Sequence, residues 1–192
     1  MPEISIKQLI ERSGKLTIDY TLHEYHEEHR LAAVLILVYP GKHEPEIILT
    51  KRSNQLSNHA GQISFPGGSI DPGDTDPVHT ALREAQEEVA LEVNLVNVLG
   101  ILDVTLLPSG FAVAPVLAVS ESSPVLTPNP AEVEEIFSIP LSLACDTANY
   151  RKDSLIRGGQ RREFLILDYE ERYIWGATAK MLHSLAQFLA ED

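Results

Sequence analysis

The stretch that decides the fold spans residues 67–91 and reads GGSIDPGDTDPVHTALREAQEEVAL. Its two leading glycines allow a sharp turn and a close approach of the backbone to a ligand. A helix is predicted to begin at Pro77, because proline suits the first helical position and Asp76 is a typical N-cap. The helix is predicted to continue to about Val89, with apolar residues at the spacing of one packed face. That face consists of Val78, Ala81, Leu82, Ala85 and Val89.

Three glutamates follow one another along this predicted helix. Glu84, Glu87 and Glu88 stand at positions i, i+3 and i+4, which places their carboxylates on one side, within reach of a common point. Hard divalent cations such as Mg²⁺ or Mn²⁺ bind oxygen ligands, and a carbonyl of the glycine turn can complete such a set. The residues alone leave a second interpretation open, a solvated acidic face with an Arg83–Glu87 ion pair.

Strand and helix patterns flank this stretch on both sides. Residues 32–39 form a continuous apolar, β-branched run, which predicts a strand buried on both faces, and residues 46–50 predict its hairpin partner. The elements lack strict strand–helix alternation, which favours an α/β fold with a mixed sheet packed between helices. The others are a short helix at 4–12, strands at 96–107, 112–119, 132–137 and 164–168, a short helix after Pro140 and an amphipathic helix at 178–189.

The composition indicates an ordinary globular protein. The chain has 192 residues, of which 44% are hydrophobic and 22% charged, and this length fits a single domain with its own core. The 15 Lys and Arg residues against 28 Asp and Glu give a net charge of −13. Such a balance argues against general binding to nucleic acid or to an anionic membrane.

Two features bear on the cellular compartment. A single cysteine, Cys145, excludes an internal disulfide, fits a reducing compartment and is predicted to be a buried residue rather than a nucleophile. The longest apolar run, residues 31–39, is too short to span a bilayer as a helix, and charged residues interrupt the N-terminal region. The protein is therefore predicted to be cytoplasmic.

Residues 23–29, HEYHEEH, contain three histidines at three-residue intervals. A metal site is one interpretation of this segment, but ligands must converge on the ion. Histidines at this spacing drift around the axis of a helix and alternate between the faces of a strand. A solvated charged segment is therefore favoured.

Residues 68–91 resemble the Nudix box. That pattern reads glycine, five residues, glutamate, seven residues, then Arg-Glu-aliphatic-any-Glu-Glu-any-Gly-aliphatic. Here Gly68 is followed by five residues and Asp74, and after eight more residues by REAQEEVAL. The chain departs from the pattern in four ways: Asp74 replaces the first glutamate, one extra residue follows it, Ala85 is small, and Ala90 replaces the last glycine. The three carboxylates of the helix are intact.

The departures and the flanking residues are similar to one Nudix branch, the coenzyme A diphosphatases. Members of that branch share the longer spacing before Arg83, and they share Asp71 and Asp74. The similar stretches are LTKRS at 49–53, HAGQISFPGG at 59–68, TALRE at 80–84 and YIWGAT at 173–178.

This resemblance implies an α/β/α sandwich with a mixed sheet, formed by one Nudix domain over residues 1–192. The box occupies about residues 68–91 and an N-terminal extension about residues 1–29. The implied activity is metal-dependent hydrolysis of the diphosphate bond of coenzyme A or its derivatives, giving 3′,5′-ADP and 4′-phosphopantetheine. The implied ligands of Mg²⁺ or Mn²⁺ are Glu84, Glu87 and Glu88, which Arg83 orients. Many Nudix proteins are dimers, so a homodimer is expected.

The resemblance also guides the prediction of substrate contacts. Arg52 and His59 are predicted to bind the nucleotide substrate together with Gly67 and Gly68, since a guanidinium matches a phosphate. Solvated positions for Arg52 and His59 are the alternative.

Other roles are less specific in the sequence. The general base is left open among Glu84, Glu132, Glu134 and Glu135, of which the last three are also ordinary surface residues by type. Tyr173 and Trp175 are expected to pack rather than to bind adenine.

Two alternatives to a coenzyme A diphosphatase follow from the same residues. One is a Nudix hydrolase of another dinucleotide, such as NADH or ADP-ribose. The other is a non-catalytic Nudix module that binds a nucleotide or a protein, because function depends on the site rather than on the fold. The intact carboxylates disfavour this second alternative.

Overall fold

The computed structural model describes residues 5–17, 25, 28–56 and 59–190. The charged segment at 23–29 therefore lies mostly outside the described residues, and its two interpretations stay open. The helices are α1 (Ile6–Arg12), α2 (Pro77–Val89), α3 (Leu141–Cys145) and α4 (Gly176–Ala190). The strands are β1 (Arg30–Pro40), β2 (Pro45–Arg52), β3 (Ile63–Ser64), β4 (Gly67–Ser69), β5 (Val96–Ile101), β6 (Thr105–Leu107), β7 (Phe111–Ser120), β8 (Val133–Pro140), β9 (Tyr150–Arg157), β10 (Gln160–Tyr169) and β11 (Arg172–Trp175).

Strand β1 is the centre of the larger sheet. It pairs in parallel with β7 and antiparallel with β2 and β4, and the main path runs β3-β2-β1-β7-β5. Strands β6 and β8 join this sheet on β7 and β2. The predicted buried strand, its hairpin partner and the mixed character of the sheet are thus confirmed.

Residues 96–107 do not form the one strand that the sequence predicted. They form β5 and β6, which pair with opposite halves of β7. The break lies opposite Pro115 of β7, which has no N–H to donate to a neighbouring strand. A second sheet, β11-β10-β9, contains the predicted strand at 164–168 within β10, but β9 has too many charged residues to be predicted as a strand.

Helices cover both faces of the larger sheet. Successive side chains of β1 point to opposite sides, so this apolar strand presents a hydrophobic surface to each layer of helices. Leu35 and Leu37 pack with the buried face of α2, while Ile36 and Val38 belong to the cluster that contains the apolar face of α4. This arrangement confirms the predicted α/β/α fold with a mixed sheet. Within the described part of the chain, no helix is both long enough and apolar enough to cross a membrane.

Helix α2 begins and ends as its sequence dictates. Asp76 accepts a hydrogen bond from the backbone N–H of His79 at 2.8 Å, and Pro77 occupies the first turn. The helix ends at Ala90, whose φ of 54° is left-handed. Glycine adopts this conformation without the steric cost that a Cβ brings, which explains why the Nudix pattern has a glycine here.

Replacement of Ala90 by glycine is therefore expected to stabilise the protein. We predict that Ala90→Gly raises the free energy of unfolding by about 1 kcal/mol, because it removes the Cβ from a left-handed residue. Urea denaturation measures the change. Gln86→Gly, at an exposed position inside the same helix, is the matched control and should lower that free energy by roughly 0.5–1 kcal/mol. Equal destabilisation by both variants would contradict a left-handed backbone conformation at Ala90.

Candidate active site

The glycine turn and helix α2 meet without space for a further side-chain atom. A Cβ placed on Gly68 would lie 2.4 Å from the Glu84 Oε1 atom, and one on Gly67 would lie 2.4 Å from the Ala33 carbonyl oxygen. Helix α2 reaches this distance because its packed face includes Ala85, which is fully buried. The glycines thus allow the backbone of β4 to lie directly against a carboxylate.

Glu88 is the buried member of the three glutamates, with a side chain only 2% exposed. Its Oε2 accepts a hydrogen bond from the Gly67 N–H at 3.3 Å, and its Oε1 lies 3.5 Å from Arg52 Nη1. Burial raises the pKa of Glu88 to about 7, although Arg52 and the Gly67 N–H act in the opposite direction. The like charges of Glu84 and Glu132 add to the increase.

Glu84 and Glu87 both accept hydrogen bonds from Arg83. The Nη1 atom of Arg83 lies 2.9 Å from Glu84 Oε1 and 3.1 Å from Glu87 Oε2, so the predicted Arg83–Glu87 ion pair is present. Burial raises the pKa of Glu84, Arg83 opposes this, and the charges of Glu87 and Glu132 add to it. Glu87 is 55% exposed. The exposure of the three carboxylates therefore increases from Glu88 through Glu84 to Glu87.

Arg83 is itself held by Asp74. The guanidinium donates from Nε to Asp74 Oδ1 and from Nη2 to Asp74 Oδ2, both at 3.0 Å. Asp74 also accepts from the Thr80 hydroxyl at 2.9 Å and from the Asp71 N–H at 2.9 Å. The sequence singled out Asp74 as a replacement within the Nudix pattern that is shared with one branch, without giving it a role, whereas the structure makes it the anchor of Arg83.

The three glutamates fit a hard divalent cation by the chemistry of their donors. All offer carboxylate oxygens, which Mg²⁺ and Mn²⁺ prefer, and the buried negative charge of Glu88 lies beside them. Their oxygens do not point to one centre, because Glu84 and Glu87 face Arg83 and Glu88 faces Arg52. Within residues 5–17, 25, 28–56 and 59–190, no three His, Cys, Asp or Glu residues are arranged around a common ion position. Shared coordination requires these side chains to change rotamer.

A cavity of about 320 Å³ brings together the predicted substrate-binding residues. Arg52, His59, Gly67 and Gly68 all line it. The Nε atom of Arg52 is buried and has no hydrogen-bond partner among the described residues. His59 Nδ1 lies 2.7 Å from Gln62 Oε1. The sequence assigned no substrate-binding role to Gln62 or to the apolar residues of the cavity wall, which come from separate strands and from α4.

The three candidates for the general base that follow α2 in the chain differ in the contacts of their carboxylates. Glu134 is bound to Lys51 at 2.6 Å and to Asn54 at 2.5 Å, and Glu135 is bound to Arg172 at 2.5 Å. In the described part of the chain, no hydrogen bond or ion pair holds the carboxylate of Glu132. Its charge acts on both Glu84 and Glu88.

Glu132 reaches this position because residues 127–133 close the C-terminal end of α2. The N–H of Asn129 donates to the Glu88 carbonyl at 2.8 Å, and the N–H of Thr127 donates to the Val89 carbonyl at 3.0 Å. The Glu132 carbonyl in turn accepts from the Ser53 N–H at 2.8 Å. The sequence offered Glu132 as a candidate base but did not distinguish it from Glu134 and Glu135, because these backbone contacts leave no pattern in the sequence.

Three other predicted residues take up defined positions. Cys145 is buried, and burial raises the pKa of its thiol to about 12, which agrees with a structural role. Trp175 packs edge-on against Phe164 with ring centroids 5.3 Å apart. Tyr173 is 42% exposed on the three-stranded sheet, and its ring packs under the Arg151 guanidinium.

Comparisons with known proteins identify similar sequences and similar folds. A family model of the NUDIX domain matches residues 29–157. An uncharacterized Nudix hydrolase NudL of Photorhabdus laumondii is 41% identical over 161 residues, which cover 84% of this chain and 86% of the relative. The NudL of Pectobacterium atrosepticum is 38% identical over 173 residues, covering 90% of this chain and 88% of the relative.

Solved structures show the same fold. A Nudix hydrolase from M. smegmatis, RenU, superposes with a TM-score of 0.51 at 23% identity, covering 62% of this chain and 74% of that chain. An Ap4A hydrolase from C. elegans superposes with a TM-score of 0.50 at 20% identity, covering 58% of this chain and 80% of that chain.

Because the Asp74 carboxylate anchors Arg83, we predict that its removal destabilises the protein to an extent that depends on pH. Arg83 holds the pKa of Asp74 well below its usual range, and the Asp74 side chain is 2% exposed. We expect Asp74→Asn to lower the free energy of unfolding by roughly 1.5–3 kcal/mol at pH 7. Because the pKa is lower in the folded state, this stabilisation is complete above a pH of about 4 and decreases as the pH falls further.

Urea denaturation of the wild type and Asp74→Asn at several pH values measures this difference. Asp71→Asn is the matched control, since Asp71 is 66% exposed and lies 3.7 Å from the same guanidinium. Its effect should stay below about 0.5 kcal/mol. A difference between wild type and Asp74→Asn that stayed constant from pH 7 to pH 2 would rule out the depressed pKa.

Proposed function

This chain belongs to the Nudix hydrolase family, whose members act on nucleoside diphosphate derivatives, and we propose on that basis that it hydrolyses the diphosphate bond of coenzyme A or its derivatives. The products are 3′,5′-ADP and 4′-phosphopantetheine. One observation carries the proposal: the carboxylate-bearing face of α2 lies against the glycine turn that borders the cavity containing Arg52 and His59. The stretches around Arg52 and His59 are those that resemble the coenzyme A diphosphatases.

In this proposal Glu84, Glu87 and Glu88 hold Mg²⁺ or Mn²⁺. When bound, the cation polarises the diphosphate and lowers the pKa of the attacking water. Arg83, anchored by Asp74, restrains Glu84 and Glu87, and this is the kind of support that orients ligands around a metal.

Arg52 is proposed to bind the diphosphate of the substrate. Its guanidinium lies at the border between Glu88 and the cavity, with one contact to the carboxylate and one buried Nε without a partner among the described residues. A planar guanidinium presents several donors that match phosphate oxygens. Binding a phosphate there satisfies the unpaired donor and places the diphosphate beside the glutamates.

Glu132 is proposed as the general base. It accepts the proton of the attacking water at its carboxylate, whereas the carboxylates of Glu134 and Glu135 are already paired with cations. Its charge is close enough to Glu84 and Glu88 to act on both of them. A positioned base of this kind contributes roughly 10²- to 10⁴-fold to the rate.

The extent of the domain over residues 1–192, the homodimer and the cytoplasmic location stay predictions from the sequence and the resemblance. The proposed partner is a small nucleotide substrate. The net charge of −13 continues to argue against nucleic acid and anionic membranes as partners.

A substrate panel tests the proposed reaction. We expect purified protein with Mg²⁺ or Mn²⁺ to hydrolyse coenzyme A or an acyl-coenzyme A with a higher kcat/KM than NADH or ADP-ribose. Chromatography should identify 3′,5′-ADP and 4′-phosphopantetheine as products, and a chelator should abolish turnover. Coenzyme A among the poorest substrates of the panel, or full activity in chelator, would contradict the proposal.

A series of glutamine variants tests the proposed roles of the carboxylates. Glu87→Gln should lower metal-dependent kcat about 100-fold, because it removes a proposed ligand, and should leave the fold intact, since Glu87 is 55% exposed. Glu132→Gln should lower kcat by a similar factor while metal binding, measured by calorimetry, is retained.

Glu134→Gln is the matched control for this series, because its carboxylate lies in the same segment and is bound to Lys51. It should keep kcat within about twofold of the wild type. Circular dichroism and thermal melts establish that each variant is folded. Wild-type turnover in Glu132→Gln together with a loss in Glu134→Gln would reverse the assignment of the base.

A further inference from the structure

We propose that the cavity beside the carboxylates binds the 4′-phosphopantetheine half of the substrate, and that its apolar wall receives the two methyl groups next to the phosphate ester. The nucleoside half then lies outside this cavity. This inference rests on the proposed function and deepens it, since it states which half of the substrate the enzyme recognises there.

The wall of the cavity is mainly apolar, and six of its apolar side chains come from five different elements. Strands β1, β6 and β7 contribute one side, and the end of β11 and α4 contribute the other. These six are Val34, Leu107, Phe111, Val113, Trp175 and Met181. The four from β1, β6 and β7 lie on the face of the larger sheet that α4 covers, and Gly67 and Gly68 form the border toward α2.

Three polar pairs on or beside this wall are already formed. The hydroxyl of Thr178 donates to the Ile63 carbonyl at 2.9 Å. The Ser64 hydroxyl lies 3.4 Å from the Thr50 hydroxyl, and His59 and Gln62 are paired at 2.7 Å. A site that reads the edge of a purine or a ribose diol needs free donors and acceptors in fixed positions. These pairs therefore favour an apolar group as the occupant.

The buried Nε of Arg52 lies at the border of the cavity that faces the carboxylates. Arg52 is the wall residue that both contacts Glu88 and carries a buried Nε without a partner in the described part of the chain. The cavity thus combines a cationic group beside the carboxylates with an apolar wall. A phosphate ester with an apolar group close to its ester oxygen matches a cation followed by an apolar wall.

Coenzyme A offers that combination on one side of its diphosphate. On the pantetheine side, the ester oxygen of the phosphate is followed by a methylene and then by a quaternary carbon that carries two methyl groups. On the nucleoside side it is followed by a ribose with polar substituents. NADH and ADP-ribose have a ribose on both sides, so neither presents an apolar group to a wall next to the carboxylates. The cavity then selects coenzyme A over these dinucleotides by burial of the methyl groups.

Two neighbouring residues of β6 give a matched pair of variants. Leu107 lines the cavity, whereas Leu106 is 46% exposed on the other side of the strand. We expect Leu107→Asn to weaken the binding of 4′-phosphopantetheine about tenfold in calorimetry. The KM for coenzyme A should rise by a similar factor with kcat within about twofold, because the lost contact exists before and during the reaction. The affinity for 3′,5′-ADP should not change, and Leu106→Asn should behave as the wild type.

Leu107→Ala, a milder change, should shift the same constants in the same direction and keeps the test valid if Leu107→Asn does not fold. Weaker binding of 3′,5′-ADP with unchanged 4′-phosphopantetheine would show that the cavity holds the nucleoside and would overturn the inference. Unchanged binding of both products would overturn it as well. If the wild type did not hydrolyse coenzyme A, yet bound 4′-phosphopantetheine in a manner dependent on Leu107, the proposed reaction would be wrong and the cavity assignment upheld.

Discussion

The contact between the Gly68 backbone and the Glu84 carboxylate is the constraint on which the rest of the structure depends. No side-chain atom fits between them, since a Cβ on Gly68 would lie 2.4 Å from Glu84 Oε1. Helix α2 must therefore pack closely on β1, which its small buried residues Ala81 and Ala85 permit. Close packing brings the carboxylates to the border of the cavity on the opposite face of the sheet. A larger residue in the turn or on the helix separates the two halves of the site.

Charge is the second organising factor. The chain has a net charge of −13, and the site concentrates carboxylates of which two, Glu88 and Asp74, are almost completely buried. Arg83 and Arg52 compensate these charges within the protein. Because a bound cation reverses the local field, an acidic protein can accept a substrate that is itself polyanionic.

Local sequence patterns predicted much of this arrangement. Helix α2 follows from Asp76, Pro77 and the apolar spacing, and the central hairpin follows from two β-branched runs, because each of these signals acts over a few residues. The prediction of one strand at 96–107 was wrong, since the break depends on Pro115 in a neighbouring strand. Strand β9 was missed because it has no apolar periodicity, and its charged residues Arg151, Lys152 and Asp153 are exposed on a small sheet.

The sequence by itself determined which residue types are available and how those on α2 are spaced: three carboxylates on one side of a helix, preceded by two glycines. Only the tertiary structure decided that Asp74 holds Arg83, that Glu132 lies near Glu84 and Glu88 with no paired cation in the described chain, and that an apolar wall adjoins Arg52. Helical spacing is fixed by the geometry of the backbone over a few residues. The contacts of Asp74, Glu132 and the cavity wall join segments distant in sequence, and their positions follow from the packing of whole elements against the sheet.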